Sequence, residues 1–406
     1  MAENSGPHIL LIHQAFVSLD EPGGTRHHEL ARILAKKGHR VTIIASPVSY
    51  LTGQTSKTTK DKEPGIVIRR AFTYQALHRS FVHRVISFLS FMISSFFIGL
   101  SIRDVDIVWG TSPPIFQGVT AWGLARLKRA PFLFEVRDLW PAFAVAIGVL
   151  KNPFLIQASL WLERFLYRRA TRLVVNSPGF TKHVQERGGK NVAIIPNGAD
   201  SSMFDPDENG ASFRKKHGLA GKFVVLYAGA HGVSNDLAVV LAAANQLKQQ
   251  ENIAFILLGD GKEKPALIEN AGKMGLQNTL FLPPLAKKEM ALALAAADIC
   301  IAILKPLPEY ATVYPNKVFD YMAAGRPVLL AIDGVIREAV EAAGAGIFVQ
   351  PGDSAALATA IKELTAHPNR ARRMGASGRA YLEKHFDRAE LAEKLHQVIL
   401  ELVAKK

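Results

Sequence analysis

The residues best able to do chemistry run from Thr312 to Pro327, in the order TVYPNKVFDYMAAGRP. Asn316 is a good N-cap, Gly325 occupies the C′ position and Pro327 follows, so the pattern predicts a short helix over Lys317–Ala324. The start of such a helix offers unpaired N–H groups and the positive end of the macrodipole, and Lys317 adds a full charge; together these suit a diphosphate. Asp320 lies one turn further in. Helical side chains lean toward the N-terminus, so its carboxylate reaches the same ligand. A carboxylate repels a diphosphate, which makes a ribose diol the better partner for Asp320. The competing reading is an ordinary capped helix of a parallel sheet.

Two glycine loops follow first strands: Pro22-Gly23-Gly24-Thr25 and Gly229-Ala230-His231-Gly232. Glycine there lets backbone approach a phosphate, although a plain tight turn has the same composition. Neither loop is a G-x-G-x-x-G or a G-x-x-x-x-G-K-[ST], so the dinucleotide and P-loop fingerprints are absent. Arg137-Asp138-Leu139-Trp140-Pro141 follows an apolar run and should stand at the carboxyl end of a strand, pointing into a cleft; an Arg–Asp surface pair beside a buried Trp is the alternative. Asp104-Val105-Asp106 has metal-binding spacing but no third ligand near it, and His27-His28 has no zinc spacing, so no metal site is expected. A serine-hydrolase elbow is also missing.

These residues need a scaffold, and apolar runs alternating with helical stretches supply it. Strands are expected at Ile9–Ile12, Val41–Ala45, Ile66–Ile68, Ile107–Trp109, Phe132–Val136, Leu173–Asn176 and Val192–Ile195, with a helix over Arg26–Lys37 closed by Gly38. The pattern restarts after Pro196-Asn197-Gly198, at Phe223–Tyr227, Ile253–Leu258, Leu280–Leu282, Ile299–Leu304, Val328–Ala331 and Ile347–Val349. This is the α/β class: two doubly wound domains with a site in the crevice between them. Tyr50–Pro64 is polar and reads as a surface loop.

The 406 residues suit two domains. A 49% hydrophobic and 21% charged composition excludes disorder, collagen and coiled coil. One cysteine, Cys300, excludes a disulfide framework and fits a reducing compartment. Met1–Pro7 lacks the basic and apolar segments of a secretory signal. The net charge of +14 is uneven: residues 1–200 hold 25 Lys+Arg and 13 Asp+Glu, giving +12, and the remainder gives +2. The basic half attracts nucleic acid, anionic lipid or phosphorylated substrates, or is simply well solvated. Its basic residues are not interleaved with aromatics in a nucleic-acid module.

Val85–Ile102 carries no charge over eighteen residues. A buried helix, a helix lying in a membrane surface and a membrane span are all compatible with it, and a span would split one domain's alternating pattern. Ser87, Ser90, Ser94 and Ser101 form a small-residue stripe, with Phe88, Phe96 and Phe97 on the other face. Basic neighbours Arg69, Arg70, His78, Arg79, His83 and Arg84 favour a membrane surface.

Taken in order, Gly23-Gly24-Thr25, Gly38-His39-Arg40-Val41, Ile195-Pro196-Asn197-Gly198-Ala199-Asp200, Tyr227-Ala228-Gly229, Leu258-Gly259-Asp260-Gly261, Ala295–Asp298 and Asp320–Pro327 resemble the retaining glycosyltransferases of family 4, across essentially the whole chain. Arg137–Pro141, Pro283-Pro284 and Pro315-Asn316-Lys317 are similar to the WbuB-type amino-sugar transferases of O-antigen and capsule assembly. The resemblance implies a GT-B fold of two facing Rossmann-like domains. These would be an acceptor-side domain over 1–197, with a helix at 388–406 packing back on it, and a nucleotide-sugar domain over 198–387.

It also implies a metal-independent hexosyltransferase with no cofactor beyond a UDP-sugar co-substrate. The acceptor would be lipid-linked or a glycan, and no nucleic acid is involved. Such an enzyme would be cytoplasmic and peripheral at the inner, anionic face of the cytoplasmic membrane. Asp320 matches the second acid of the family's donor motif, and Thr312 stands where the first acid falls. His231-Gly232 stands at the family's arginine position, and Lys264 or Lys317 at its lysine. Pro284 and Leu285 would border the base, Pro315 and Asn316 the diphosphate. Gly23 and Gly24 would lie near the diphosphate from the other domain, with Arg137 and Asp138 near the reacting carbon. A UDP-sugar 2-epimerase of the same architecture and a non-enzymatic nucleic-acid-binding protein are the alternatives.

Overall fold

The computed structural model describes residues 6–50, 53, 55, 62–76, 81–205 and 207–405. The chain forms two compact units. Unit 1 comprises residues 1–18, 24–196 and 389–406, and unit 2 comprises 19–23 and 197–388.

In unit 1 the strands are β1 (His8–Ile12), β2 (Arg40–Ala45), β3 (Lys62–Glu63), β4 (Ile66–Arg70), β5 (Ile107–Ser112), β6 (Phe132–Val136), β7 (Arg172–Val175) and β8 (Val192–Ile194). They make one sheet in the order β3-β4-β2-β1-β5-β6-β7-β8, parallel except for β3 against β4. Both faces of a parallel sheet are covered, so β1 (HILLI) and β6 (FLFEV) are buried at every position. The helices are α1 (Arg26–Lys36), α2 (Phe81–Ser101), α3 (Phe116–Lys128), α4 (Ala142–Ala146), α5 (Pro153–Arg169) and α6 (Thr181–Glu186). On one face Leu30 and Leu34 of α1 share a core with Leu391, Leu395 and Ile399 of the C-terminal helix Arg388–Val403. On the other face α2 packs against α3, and α3 against α5.

In unit 2 the strands are β9 (Phe223–Ala228), β10 (Ile253–Leu258), β11 (Thr279–Leu282), β12 (Ile299–Ile303), β13 (Val328–Ala331) and β14 (Gly346–Phe348), all parallel in the order β11-β10-β9-β12-β13-β14. The helices are α7 (Ala211–Lys216), α8 (Leu237–Gln246), α9 (Lys264–Lys273), α10 (Lys287–Ala295), α11 (Asn316–Ala323), α12 (Val335–Ala342), α13 (Ser354–Ala366) and α14 (Pro368–His385), and the C-terminal helix Arg388–Val403 that follows them returns to unit 1. Each sheet has a switch point where the chain turns back past its first strand, at β1/β5 and at β9/β12. In open α/β sheets the crevice at that point binds ligands.

Two local expectations are corrected. The helix over 317–324 begins one residue earlier, with Pro315 as its N-cap, and Asn316 does not cap it: its buried Oδ1 has no partner. Polar Lys62–Glu63 is an edge strand, and residues 51, 52, 54 and 56–61 of the expected loop lie outside the described residues, as do His78 and Arg79. The face that α2 buries is Ser87, Phe91, Ser95 and Gly99, which shares only Ser87 with the serine stripe. Phe88 stacks on Phe116 and Phe96 packs on Gly123, while Phe97 points outward.

Candidate active site

In unit 2 the site is built on the β9/β12 switch point. Val318, Phe319 and Met322 bury one face of α11 in the core, which leaves Lys317 and Asp320, three residues apart, on another. Tyr321 fixes the helix to the end of β9: its Oη accepts from Ala228 N at 3.0 Å and donates to Ala228 O at 3.2 Å. The segment before α11 is held by Asn197, whose Nδ2 donates to Tyr314 O at 2.6 Å.

Lys317 Nζ reaches back under the β9 loop. It donates to Tyr227 Oη at 2.7 Å, lies 3.9 Å from the centre of that ring, and is 3.4 Å from Asn235 Oδ1. Burial pushes the Lys317 ammonium down to about 7. Residue 229 is glycine for two reasons. Its φ is +147°, and a Cβ there would stand 2.9 Å from Lys317 Nζ.

His231 is fully buried, and neither ring nitrogen has a partner. Its backbone is pinned to the β10 loop: His231 N donates to Asp260 O at 2.8 Å and Glu263 N donates to His231 O at 2.9 Å. Burial, then the charges of Lys264 and Lys317, lower its pKa to about 4, so the imidazole is neutral near pH 7 and carries one N–H to give. Lys264 Nζ donates to Gly259 O at 2.7 Å and Leu282 O at 3.0 Å, tying the β10 loop to the end of β11. The region around the β9 loop therefore holds a half-buried amine, a buried neutral imidazole and the start of a helix. All of these favour an anion.

Asp320 is paired at its Oδ1, which accepts from Lys287 Nζ at 2.6 Å. Lys287 starts α10, directly after the segment holding the half-buried Pro284 and Leu285, and its ammonium also lies 5.4 Å from the Phe204 ring centre. Thr312 Oγ1 donates to Glu309 O at 2.7 Å inside its own 3-10 turn, Pro308–Thr312. Gly232 continues the β9 loop beyond His231.

In unit 1 a second polar cluster sits at the β1/β5 switch point. Arg137, just past β6, donates from Nε to Thr111 Oγ1 at 2.7 Å and from Nη2 to His13 Nε2 at 2.9 Å. His13 therefore accepts at Nε2 and is neutral; burial, His27 and Arg137 hold its pKa well below the ordinary value. Beneath it, the fully buried Glu135 accepts from Arg26 Nε at 3.0 Å and His27 Nε2 at 2.6 Å. Burial alone would raise the Glu135 pKa, but His27 and Arg26 outweigh it and keep the carboxyl ionised. Arg26 also donates to Pro196 O and Ile195 O, each at 2.7 Å. Asp138 is half-buried, its Oδ1 has no partner, and burial raises its pKa to about 6 against the pull of Arg137. Gly23 and Gly24 are exposed in the loop before α1.

The sequence reading missed Lys287, Tyr227, Asn235, Arg26, His27 and Glu135 as members of these clusters. One signal was available. Glu135 is the one charge in an otherwise apolar run, and a charge in a doubly covered strand needs a partner. Nothing local marks Lys287. The metal-like spacing of Asp104 and Asp106 has a structural use, since Asp106 Oδ2 accepts from His8 N at 2.9 Å.

Comparison with known proteins places the chain in a family. Residues 23–198 match the profile of the glycosyl transferase 4-like domain, and residues 222–367 that of glycosyl transferases group 1. The chain is 24% identical over 380 residues to the putative colanic acid biosynthesis glycosyl transferase WcaI of Escherichia coli K12, covering 89% of this chain and 91% of that one. It is 29% identical over 246 residues to the D-inositol 3-phosphate glycosyltransferase of Nocardia farcinica, 57% and 53% of the two chains. Among solved structures, the sucrose-phosphate synthase of Thermosynechococcus elongatus superposes with a TM-score of 0.79 at 20% identity, over 99% of this chain and 100% of that one. Anabaena HepE, solved with UDP-glucose, superposes with a TM-score of 0.75 at 18% identity, over 97% and 100%. With both of its α/β units accounted for in this way, the chain belongs to the family 4, group 1 glycosyltransferases of GT-B fold.

Proposed function

We propose that this transferase moves a sugar, an N-acetylated amino or deoxyamino sugar, from a UDP-sugar to a hydroxyl of a lipid-linked or polysaccharide acceptor in cell-surface glycan synthesis. The observation that carries the donor assignment is the convergence of Lys317 and the unpartnered His231 on the β9 loop, beside the start of α11. In this reading the diphosphate lies against the N–H groups of α11 and the two side chains. Asp320 receives the ribose hydroxyls, and Lys287 offsets its charge. As the bond from the anomeric carbon to the diphosphate oxygen breaks, negative charge grows on the leaving UDP. Fixed positive charge and N–H dipoles stabilise that charge more than they stabilise the ground state. The acceptor oxygen bonds the anomeric carbon on the same face, and its proton passes to the departing phosphate oxygen. No step requires a metal or a further cofactor.

The cluster of Arg137, His13 and Asp138 is assigned to the acceptor side. A lipid-linked acceptor would put the reaction at the inner face of the cytoplasmic membrane. The test is UDP release from a panel of UDP-sugars, with and without a lipid-diphosphate sugar acceptor. Release that depends on the acceptor supports the reading. Release or isomerisation of donor without any acceptor favours a UDP-sugar epimerase. Lys317→Ala and Asp320→Ala should each weaken UDP binding, and unchanged affinity in both would remove the donor site.

A further inference from the structure

The outer layer of unit 1 presents a surface with no role in the donor site. Helix α2 buries Ser87, Phe91, Ser95 and Gly99 and turns the opposite side outward. On that side Val82, Ile86, Leu89, Ile93, Phe97 and Leu100 are between 38% and 66% exposed. Their spacing of four, three, four, four and three residues is one stripe along a helix of 21 residues, about 31 Å long. The stripe does not stand alone. α3 packs on α2 and exposes Leu127 at 62%; α5 packs on α3 and exposes Phe154 at 78% and Trp161 at 65%. An exposed apolar stripe of this length, with further exposed apolar side chains on the helices packed beside it, marks a docking site.

The charge of the same layer identifies the occupant. α2, α3 and α5 together carry six Lys or Arg (Arg84, Arg126, Lys128, Arg164, Arg168, Arg169) and one acid, Glu163. That acid is fully buried and held by His183 and Arg187. At the C-terminal end of α2, Lys62, Arg69 and Arg70 line an open groove of about 560 Å³ with Ile98 and Ser101. A second copy of this chain, docking by the same face, would set positive rim against positive rim. An anionic bilayer meets both features, with its acyl region against the stripe and its headgroups against the rim and groove.

A membrane span is excluded by packing. α2 joins β4 to β5 of one sheet, Thr120 Oγ1 donates to Met92 O at 2.9 Å, and Lys128 closes the end of the helix on Leu100 O and Ile102 O. Gly99 is in contact with Leu124, so close that a Cβ would stand 2.3 Å from its Cδ1. The inner face is thus fixed to the domain, and only the outer face is available.

We propose that α2, α3 and α5 dock this protein in the plane of an anionic lipid bilayer, with the Val82–Leu100 stripe entering the acyl boundary and the basic rim and groove binding headgroups. The inference goes beyond the transferase reading, and it stands on residues that hold none of the donor site. The experiment is flotation of the purified full chain with vesicles of phosphatidylcholine alone or mixed with phosphatidylglycerol, read without donor or acceptor. The expected result is flotation with anionic vesicles at about 50 mM salt, reduced at least about fivefold on neutral vesicles or at about 0.5 M salt. Trp161 emission should shift to the blue on binding. The double variant Ile93→Glu/Phe97→Glu should lose about tenfold in vesicle binding while keeping its melting temperature and UDP affinity. A milder pair, Arg84→Ser/Arg126→Ser, should lower binding mainly at low salt. Absence of flotation at low salt, equal binding to neutral vesicles, or full binding by the double variant would overturn the proposal. So would a lipid-independent dimer that the double variant dissolves, which would assign the face to a second copy.

Discussion

Lys287 Nζ donates to Asp320 Oδ1 at 2.6 Å across 33 residues of sequence, with the lysine 10% and the carboxylate 21% exposed. Asp320 is three residues from Lys317 on α11, so the proposed diphosphate has a carboxylate for a neighbour. The pair answers the objection that such a carboxylate repels the ligand, because its charge is offset before the ligand arrives. Lys287→Met removes that countercharge while leaving the carboxylate in place. UDP binding should weaken about tenfold, about 1.4 kcal/mol, whereas uridine, which carries no diphosphate, should change less than about twofold. Asp320→Ala should weaken both. Calorimetric titration of each variant with both ligands decides the matter. Equal losses for UDP and uridine in Lys287→Met would show that the lysine serves only the fold.

Lys317, in the proposed donor site, should make UDP affinity depend on pH. Burial lowers its pKa to about 7, so above that pH the amine is largely neutral before ligand binds. A diphosphate beside it favours the charged form and raises the pKa in the complex. Binding then takes up a proton, and affinity should fall as pH rises from about 7 toward the pKa of the complex, by up to about tenfold per unit. Below about 7 the amine is charged in both states and this dependence ends. Titration at pH 8 in buffers of different ionisation enthalpy should show close to one proton taken up per UDP. Lys317→Met should show none.

The parts of this fold that were legible in the sequence are those where burial is uniform. Parallel strands covered on both faces become unbroken apolar runs, and Phe132–Val136, Ile253–Leu258 and Val328–Ala331 agree with the structure residue for residue. The edge strand Lys62–Glu63 was not legible, because two polar residues pairing on one side carry no pattern. The site divides in the same way. Lys317 and His231 follow from a helix start and a glycine loop, which are local signals. Asn316 was misread because a proline can stand at the N-cap and free the next residue to be the first of the helix. Lys287 on Asp320 and Arg26 on Glu135 are pairings 33 and 109 residues apart, and only the folded sheet brings them together.

The β9 and β10 loops touch through backbone, and this fixes the space around His231. Gly259 has φ +145°, and a Cβ there would stand 1.8 Å from Gly229 O. Backbone cannot yield as a side-chain tip can, so Gly259→Ala must displace the β9 loop. The expected cost is about 1–3 kcal/mol of stability with a loss of UDP affinity of at least about tenfold. Gly218→Ala is the control: its φ is +66°, and nothing lies within 4 Å of the added atom. It should carry a smaller penalty, from backbone alone, and leave UDP affinity unchanged. Thermal melting and UDP titration of the two variants separate displacement of the loop from strain alone.

The cluster under β1 and β6 should make unit 1 sensitive to acid. His27 has a folded pKa of about 4 against an ordinary 6.5, set by burial and opposed by Glu135. His13 is also held well below its ordinary value. Both shifts are downward, so as pH falls below about 6.5 the unfolded chain binds protons that the folded chain refuses, and stability falls. Each histidine contributes up to about 1.4 kcal/mol per pH unit, until about pH 4 for His27. Glu135 acts at lower pH: its depressed pKa supports the fold above about 4.5, and that support is lost as pH falls further. All four tryptophans, Trp109, Trp122, Trp140 and Trp161, lie in unit 1, so their fluorescence reports its unfolding. His27→Gln keeps an N–H for Glu135 and removes one titrating group. Between pH 6.5 and 4 it should reduce the pH dependence of unfolding by the share of one histidine, because His8 and His39 are lowered too and the raised Asp138 acts in the opposite direction. Glu135→Leu is expected to cost about 3–5 kcal/mol at neutral pH, because it leaves the Arg26 guanidinium buried beside an apolar side chain. An unchanged slope in His27→Gln would mean that this imidazole is protonated in the native cluster and that the Glu135 pair is a full ion triad.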